Sequence, residues 1–328
     1  MHYKMCCFSG RSRRVNESLI FMIYRIIAII TVCLLFCGIL GAQDWNPCIA
    51  FSFDDGNPDD ILSYRGSEWN GFIRDQLKEF NIQAVWFVAA GKLDNEKGKI
   101  LLKKWDDAGH IIANHTYSHL NYNDPSISCD QFVQNVLKCD AMIKEYNNYR
   151  KIFRFPYLKT GDSIKKRDDM RKWLAYNNYR QGWVTIDTSD WYYNMRLIKR
   201  LKEKPNTDLS GFRKTFVEHI YDKAKYYNEM SKEINLRQIH HTLLLHFNLT
   251  SALFLKDLIQ KFKAEGWKIE NYGNALDDPV YDELPDAMPA EQSLVWLQAR
   301  KTGMYEDRLR YPGENGEYEK KKLDNLGW

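Results

Sequence analysis

The sequence is poor in the features that mark several common protein classes. Its 9 prolines are scattered, and no repeat, low-complexity tract or proline-rich linker divides the chain. Cysteine is equally sparse where it would matter. Of the 7 cysteines, Cys6, Cys7, Cys33 and Cys37 fall in the first 42 residues, leaving Cys48, Cys129 and Cys139. An odd remainder does not make a disulfide framework. Cys129 and Cys139 share one predicted helix, where ten residues span roughly 15 Å, well beyond the ~7 Å that a disulfide tolerates. Buried thiols are the expectation. Excess charge is missing too. The net +4 belongs to the first 42 residues, which hold Lys4, Arg11, Arg13, Arg14 and Arg25 against Glu17; subtracting these from 47 basic and 43 acidic residues leaves 42 of each. A neutral body excludes nucleic-acid binding by bulk charge. At 328 residues the chain is long enough to bury a full core as one α/β barrel domain.

Beyond one stretch, long apolar runs are absent as well. Residues Ile26 to Leu40 are almost wholly apolar and end in Gly41-Ala42-Gln43, the hydrophobic region and small-residue exit of a secretory signal. Met22-Ile23-Tyr24-Arg25 supplies a short basic start, so Met22 is a candidate true initiator. Export with cleavage near Ala42 is the expectation. The alternative is an uncleaved anchor, since Leu19 to Leu40 is long enough to span a bilayer if Arg25 is tolerated. The product is then secreted, periplasmic or membrane-anchored, and touches a membrane only through residues 1–42.

What is present is β–α alternation. Ile49-Ala50-Phe51-Ser52-Phe53 runs straight into Asp54-Asp55-Gly56, as a buried strand of a parallel sheet does when its tip carries chemistry. Consecutive strand residues point to opposite sides, so the two aspartates need not share a role. Periodicity predicts helices over 69–80, 97–108, 128–146, 162–176, 209–233 and 251–265, the last capped by Thr250 or Ser251. Strands are predicted at 84–88, 110–113, 151–155, 182–186, 242–245 and 267–270. This argues for a parallel barrel or a doubly wound sheet. Residues 285–328 change character, with one more helix predicted at 291–299, and read as a C-terminal extension packed on the main domain.

Polar groups collect at the predicted strand ends. The third strand runs into His115-Thr116-Tyr117-Ser118-His119, whose i, i+4 histidines on a helical turn would share one face and one metal. Two histidines and a carboxylate leave positions open, as catalytic zinc sites do. The fourth strand gives Arg154-Phe155-Pro156-Tyr157, the fifth Asp187-Thr188-Ser189-Asp190-Trp191, the sixth Leu244-Leu245-His246. Packing alone does not explain five polar strand ends on one edge.

Together, Ser-Phe-Asp-Asp-Gly, His-Thr-Tyr-Ser-His, Arg-Phe-Pro-Tyr, Asp-Thr-Ser-Asp-Trp and Leu-Leu-His resemble the five ordered motifs of the polysaccharide deacetylases, carbohydrate esterase family 4 with the NodB homology domain. The similarity covers about residues 46–275. It implies an α/β fold, a distorted (β/α) barrel, over 43–284. It also implies a divalent metal, zinc foremost with Co2+ or Ni2+ as substitutes, and removal of acetyl groups from an acetylated polysaccharide. By resemblance, Asp54 is the general base, and Asp55, His115 and His119 are the metal ligands. His246 is the general acid, Arg154 and Asp190 orient base and acid, the Tyr157 backbone N–H meets the oxyanion, and Trp191 with Leu244 lines the acetyl pocket. A small-amide metalloamidase and a silent glycan-binding relative are the competing readings.

The sequence departs from the motifs in places. Asn57-Pro58-Asp59-Asp60 adds carboxylates expected near the cleft, and 192–238 is a long insertion expected to shape the groove. His110, His219, His240 and His241 lie in no matching motif, and Tyr221, Tyr226 and Tyr227 read as packing residues.

Overall fold

The computed structural model describes Met22, residues 46–309 and residues 316–328, so the expected leader, Met22 apart, and its cleavage point lie outside the described residues. β1 (Cys48–Asp55) is buried along almost its whole length, which is why its sequence reads as a nearly continuous apolar run. It pairs in parallel with β2 (Val85–Val88) on one side and β6 (His240–His246) on the other. Beyond β2 lie β3 (Ile111–Asn114), β4 (Tyr149–Phe153) and β5 (Arg180–Gln181), all parallel. β7 (Lys268–Ile269) pairs with Cys48 and Ile49 at the foot of β1. The strand order β5-β4-β3-β2-β1-β6 curls into a half-barrel with helices around it, a distorted (β/α) barrel.

The helices are α1 (Gly66–Glu79), α2 (Glu96–Asp107), α3 (Cys129–Ile143), α4 (Ile164–Tyr176), α5 (Asp190–Glu203), α6 (Ser210–Asn235), α7 (Leu249–Ala264), α8 (Tyr272–Ala275), α9 (Leu294–Thr302) and α10 (Glu317–Asn325). Side chains close their first turns: Asn95 caps α2, Ser128 forms a capping box with Gln131 on α3, and Ser163 caps α4. At α7 the cap is Asn248, whose Oδ1 accepts from Ser251 N, and not Thr250 or Ser251 as expected; both are already inside the helix. The insertion 192–238 folds into most of α5 and all of α6. Tyr221 and Tyr227 are buried there, which agrees with the packing reading. Cys129 and Cys139 both lie on α3 and stay thiols.

The expected strand at 182–186 does not form. Only Arg180–Gln181 pairs with β4, and Ile186 makes a single bridge to Leu243. The cause is local: Thr185 N and Ile186 N both donate to the Thr242 carbonyl, a bulge that breaks the ladder. Gly182 also passes so close to Phe87 that a Cβ would sit 2.4 Å from its ring. Residues beyond 285 join the core, because Trp296 on α9 is fully buried and Leu294 N donates to the Val184 carbonyl. No helix among the described residues is long and apolar enough to cross a membrane.

Candidate active site

The C-terminal ends of β1, β3 and β6 converge on one cavity of about 420 Å³, lined by Asp54, Asp55, His115, His119, Tyr157, Trp191, Leu244 and His246 among others. Strand alternation would send Asp54 and Asp55 to opposite sides. The structure instead brings both to this cavity, because Asp55 turns into the left-handed region at φ 74°. The turn is enforced from below. Trp86 Nε1 donates to the Asp55 carbonyl at 2.7 Å, and a Cβ on Gly56 would lie 2.5 Å from the same indole.

Asp54 is 3% exposed and is held by Arg154, itself buried, whose Nη1 donates to Asp54 Oδ1 at 2.5 Å and to Ser52 Oγ at 2.9 Å. Arg154 Nε donates to the Gly182 carbonyl, and its guanidinium lies 3.8 Å over the Phe87 ring. The base candidate is thus fixed through one oxygen, while Oδ2 is left 3.6 Å from His115 Nε2.

The two histidines do not sit on a helical turn, as their spacing suggested. Residues 115–119 form a loop, with Thr116 at φ 66° and His119 at φ 54°. Asn114 Oδ1 accepts from Thr116 N, and Asn135 on α3 accepts from Ser118 N, so the loop is pinned at both ends. His115 Nδ1 meets the Arg154 carbonyl at 2.8 Å, which fixes the tautomer and turns Nε2 into the cavity. Asp55 Oδ1 then faces His119 Nε2 at 3.1 Å and His115 Nε2 at 3.8 Å, without a hydrogen bond to either.

A buried carboxylate oxygen that faces two imidazole nitrogens and bonds to neither is where a cation fits. The three ligand atoms lie within 4.8 Å of one another, and one carboxylate with two imidazoles suits a zinc-class ion. Burial opposes ionisation of Asp55, but the nearness and charge of His119, with His246 and His115, hold its carboxyl well below the usual range. Burial lowers His115 to about 4 in spite of both aspartates, so it is neutral and able to act as a ligand at pH 7.

His246 stands across the cavity. Asp190, the first residue of α5, takes its Nδ1 at 2.6 Å and accepts from its backbone N at 2.8 Å. Burial favours the neutral ring, but the Asp190 charge and hydrogen bond outweigh it and raise His246 to about 10. Trp191 follows Asp190 into the cavity wall, and Leu244 reaches it from β6. Tyr157, 49% exposed, lies edge-on to His119 at the rim.

The lining also holds residues that motif reasoning missed: Lys92, Leu158 and Gln292. Backbone conformation marks Leu158 and Gln292, though not Lys92. Of the 11 non-glycine residues with positive φ among those described, Asp55, His119, Tyr157, Leu158, Ser189 and Gln292 all line this cavity. Such strain gathers where a fold aims side chains at a site. Asp59 and Asp60 do not line it; Asp60 Oδ1 instead accepts from Gly66 N at the start of α1. The remaining histidines stay outside: His110 packs on Trp105, His219 bonds the Thr188 carbonyl, and His241 bonds Thr185 and Asn228.

Residues 42–173 match the family described as polysaccharide deacetylase. This match, over 132 of the 328 residues, supports the polysaccharide deacetylase family for that stretch of the chain. Over 144 residues, the chain is 30% identical to a peptidoglycan-N-acetylglucosamine deacetylase of Bacillus cereus. The match covers 44% of this chain and 46% of that protein, so it spans about half the length of the curated relative. By fold, 71% of the chain superposes on 68% of a CE4 family pseudoenzyme of Bacillus anthracis, a mutant with restored enzymatic activity, at TM-score 0.50 and 21% identity. It also covers 90% of a chitin deacetylase from Colletotrichum lindemuthianum, with 72% of this chain, TM-score 0.50 and 18% identity. Active and inactive proteins therefore share the deacetylase fold, and function has to be argued from the site. The family match holds Asp54, Asp55, His115, His119 and Arg154, whereas Asp190 and His246 lie beyond it and rest on geometry alone.

Proposed function

We propose that the chain is a metal-dependent hydrolase that removes acetyl groups, chiefly N-acetyl, from a polysaccharide outside the cytoplasm. The carrying observation is Asp55 Oδ1, buried and without a hydrogen bond, facing two imidazole nitrogens between an Arg154–Asp54 pair and an Asp190–His246 pair. A divalent ion held by Asp55, His115 and His119, zinc foremost, would supply Lewis acidity to the acetyl carbonyl and acidify a water. The chain's own residues do the rest. Asp54, anchored through Oδ1 by Arg154, takes the proton of the attacking water. The Tyr157 backbone N–H meets the developing oxyanion, and Trp191 with Leu244 receives the methyl group. As the C–N bond breaks, His246 passes its Nε2 proton to the departing amine, while Asp190 holds Nδ1.

The substrate reading draws on the peptidoglycan-N-acetylglucosamine named for the Bacillus cereus relative, 30% identical over 144 residues. Residues 1–42 would serve as the export leader, 43–284 as the catalytic domain, and 285–328 as an extension that contributes Gln292 to the cavity wall. The test is acetate release from N-acetylated glycans by the parent, Asp54→Asn and Asp55→Ala, with metal content measured on each. Both variants should lose at least about 10² in rate, and only Asp55→Ala should lose metal. Undiminished acetate release from protein shown to be metal-free would overturn the proposal.

A further inference from the structure

A second cluster lies at the opposite end of the same strands. Side chains on one face of β1 alternate as Asp54, Ser52, Ala50 and Cys48, and those of β6 as His246, Leu244, Thr242 and His240, in parallel register with them. Asp54 and His246 meet at the active-site end. Cys48 and His240 are the registered pair at the foot, six residues or about 20 Å away at 3.3 Å per residue. On the other flank of β1, Lys268 of β7 is the partner of Cys48, and Glu270 follows two residues later on the same side of the alternation. Its backbone is fixed there by Glu270 N donating to the Ile49 carbonyl.

Three ligand atoms come together as a result. Cys48 Sγ, a His240 ring nitrogen and a Glu270 oxygen lie within 4.8 Å of one another. Cys48 is buried, its sulfur 3.8 Å from the Asn46 carbonyl, and the Glu270 side chain is only 6% exposed. His240 Nδ1 and Glu270 Oε1 approach to 2.9 Å, yet both are shielded from solvent and neither has a hydrogen-bond partner. Two ligands of one tetrahedral zinc ion, each about 2.0–2.1 Å from the metal, face each other at about 3.3 Å. The observed approach is near that spacing and lacks the alignment of a hydrogen-bonded pair. His240 is also held from outside, its N–H donating to Asp278 Oδ2 at 2.9 Å and its carbonyl accepting from Tyr281 Oη at 2.7 Å.

We propose that Cys48, His240 and Glu270 form a second divalent-cation site, separate from the active site, at the foot of the half-barrel. Thiolate, imidazole and carboxylate together select a zinc-class ion over magnesium or calcium. The ligand atoms are shielded although the His240 side chain as a whole is 40% exposed, so the cluster lies just beneath the surface. Its role is to clip β6, β1 and the two-residue β7 together where the chain enters the barrel.

The test uses the full chain, Zn2+ and Cd2+ alone as probes, and three variants: Cys48→Ser, Glu270→Gln and Asp55→Ala. After loading and exhaustive dialysis, Cys48→Ser and Glu270→Gln should each carry one zinc equivalent fewer than the parent and keep the equivalent that Asp55→Ala loses. With Cd2+, the thiolate-to-metal absorption band should weaken in Cys48→Ser and persist in Asp55→Ala; the other six cysteines are common to all forms and cancel in the difference. Glu270→Gln is nearly isosteric and reports on the site even if Cys48→Ser fails to fold. Zinc content equal to the parent in Glu270→Gln, or a cadmium band unchanged in folded Cys48→Ser, would overturn the proposal and leave a His240–Glu270 ion pair. The active-site reading stands or falls separately, on the Asp55-dependent equivalent.

Discussion

Asp190→Asn gives the sharpest test of the acid side of the site. Asp190 is 1% exposed, with Oδ1 on His246 Nδ1 and Oδ2 accepting from His246 N and Asn248 Nδ2. Burial alone would lower the imidazole; Asp190 foremost, with the charges of Asp55 and Asp54, turns this round and lifts it from 6.5 to about 10. A complete return would be about 3.5 units, or about 5 kcal/mol at 1.36 kcal/mol per unit. A cation on Asp55 would itself oppose the imidazolium, and an opposite charge in contact moves a pKa by about 1–3 units. The alkaline limb should therefore fall by about 1–3 units. A raised pKa keeps the acid protonated below it, and activity is lost as pH rises through it. Removing the carboxylate brings that loss to lower pH. With a two-unit displacement, at two units above the new limb about one ring in a hundred retains its proton, against about one in two in the parent, and kcat/KM there should drop about 50-fold. The acid side of the profile should change little. The assay is kcat/KM for acetate release from an N-acetylated oligosaccharide over pH 5–10, with metal content checked. A uniform loss at every pH with the alkaline limb unmoved would show that Asp190 only positions the ring.

His246→Ala should cost about 10²–10⁴ in rate on an N-acetyl amide, whose leaving group needs a proton, and much less on an activated aryl acetate. Equal losses on both, measured side by side, would remove His246 from the acid role. Trp296→Ala should destabilise the chain by about 3–5 kcal/mol in urea denaturation, the usual cost of emptying a fully buried tryptophan site. A loss below about 1 kcal/mol would mean that α9 is peripheral to the core.

Legibility followed the range of the forces involved. β1 was readable because a strand covered on both faces needs an apolar run, and its terminal aspartates interrupt that run sharply. The metal trio was readable as residue types but not as geometry. A spacing of four suggested a helical turn, whereas Asn114 and Asn135 hold a loop that no local periodicity encodes. The misplaced fifth strand has the same origin, since an apolar run cannot announce that two of its amides will share the Thr242 carbonyl. Gln292 lies 100 residues or more from every motif except the sixth strand's, and reaches the cavity only through long-range packing of the segment after Pro285. Cys48, His240 and Glu270 were each unremarkable in sequence, because it takes strand register to assemble them.

Charge matching explains why the active site is arranged as pairs. Asp54 and Asp190 are almost fully buried, and each has a cationic partner in contact, Arg154 for the first and His246 for the second. The same two partners separate the roles: the guanidinium holds Asp54 through Oδ1 and leaves Oδ2 toward the cavity, and an imidazole locked to a carboxylate stays protonated and can give a proton. Asp55 breaks the pattern. It faces His115, which burial keeps neutral at pH 7, and its Oδ1 makes no hydrogen bond. A carboxylate oxygen without a hydrogen bond between two pre-aimed imidazoles is the place where a cation would complete the set. Removing Asp55 should abolish metal binding, whereas removing Arg154 should leave Asp54 buried and uncompensated with or without the metal.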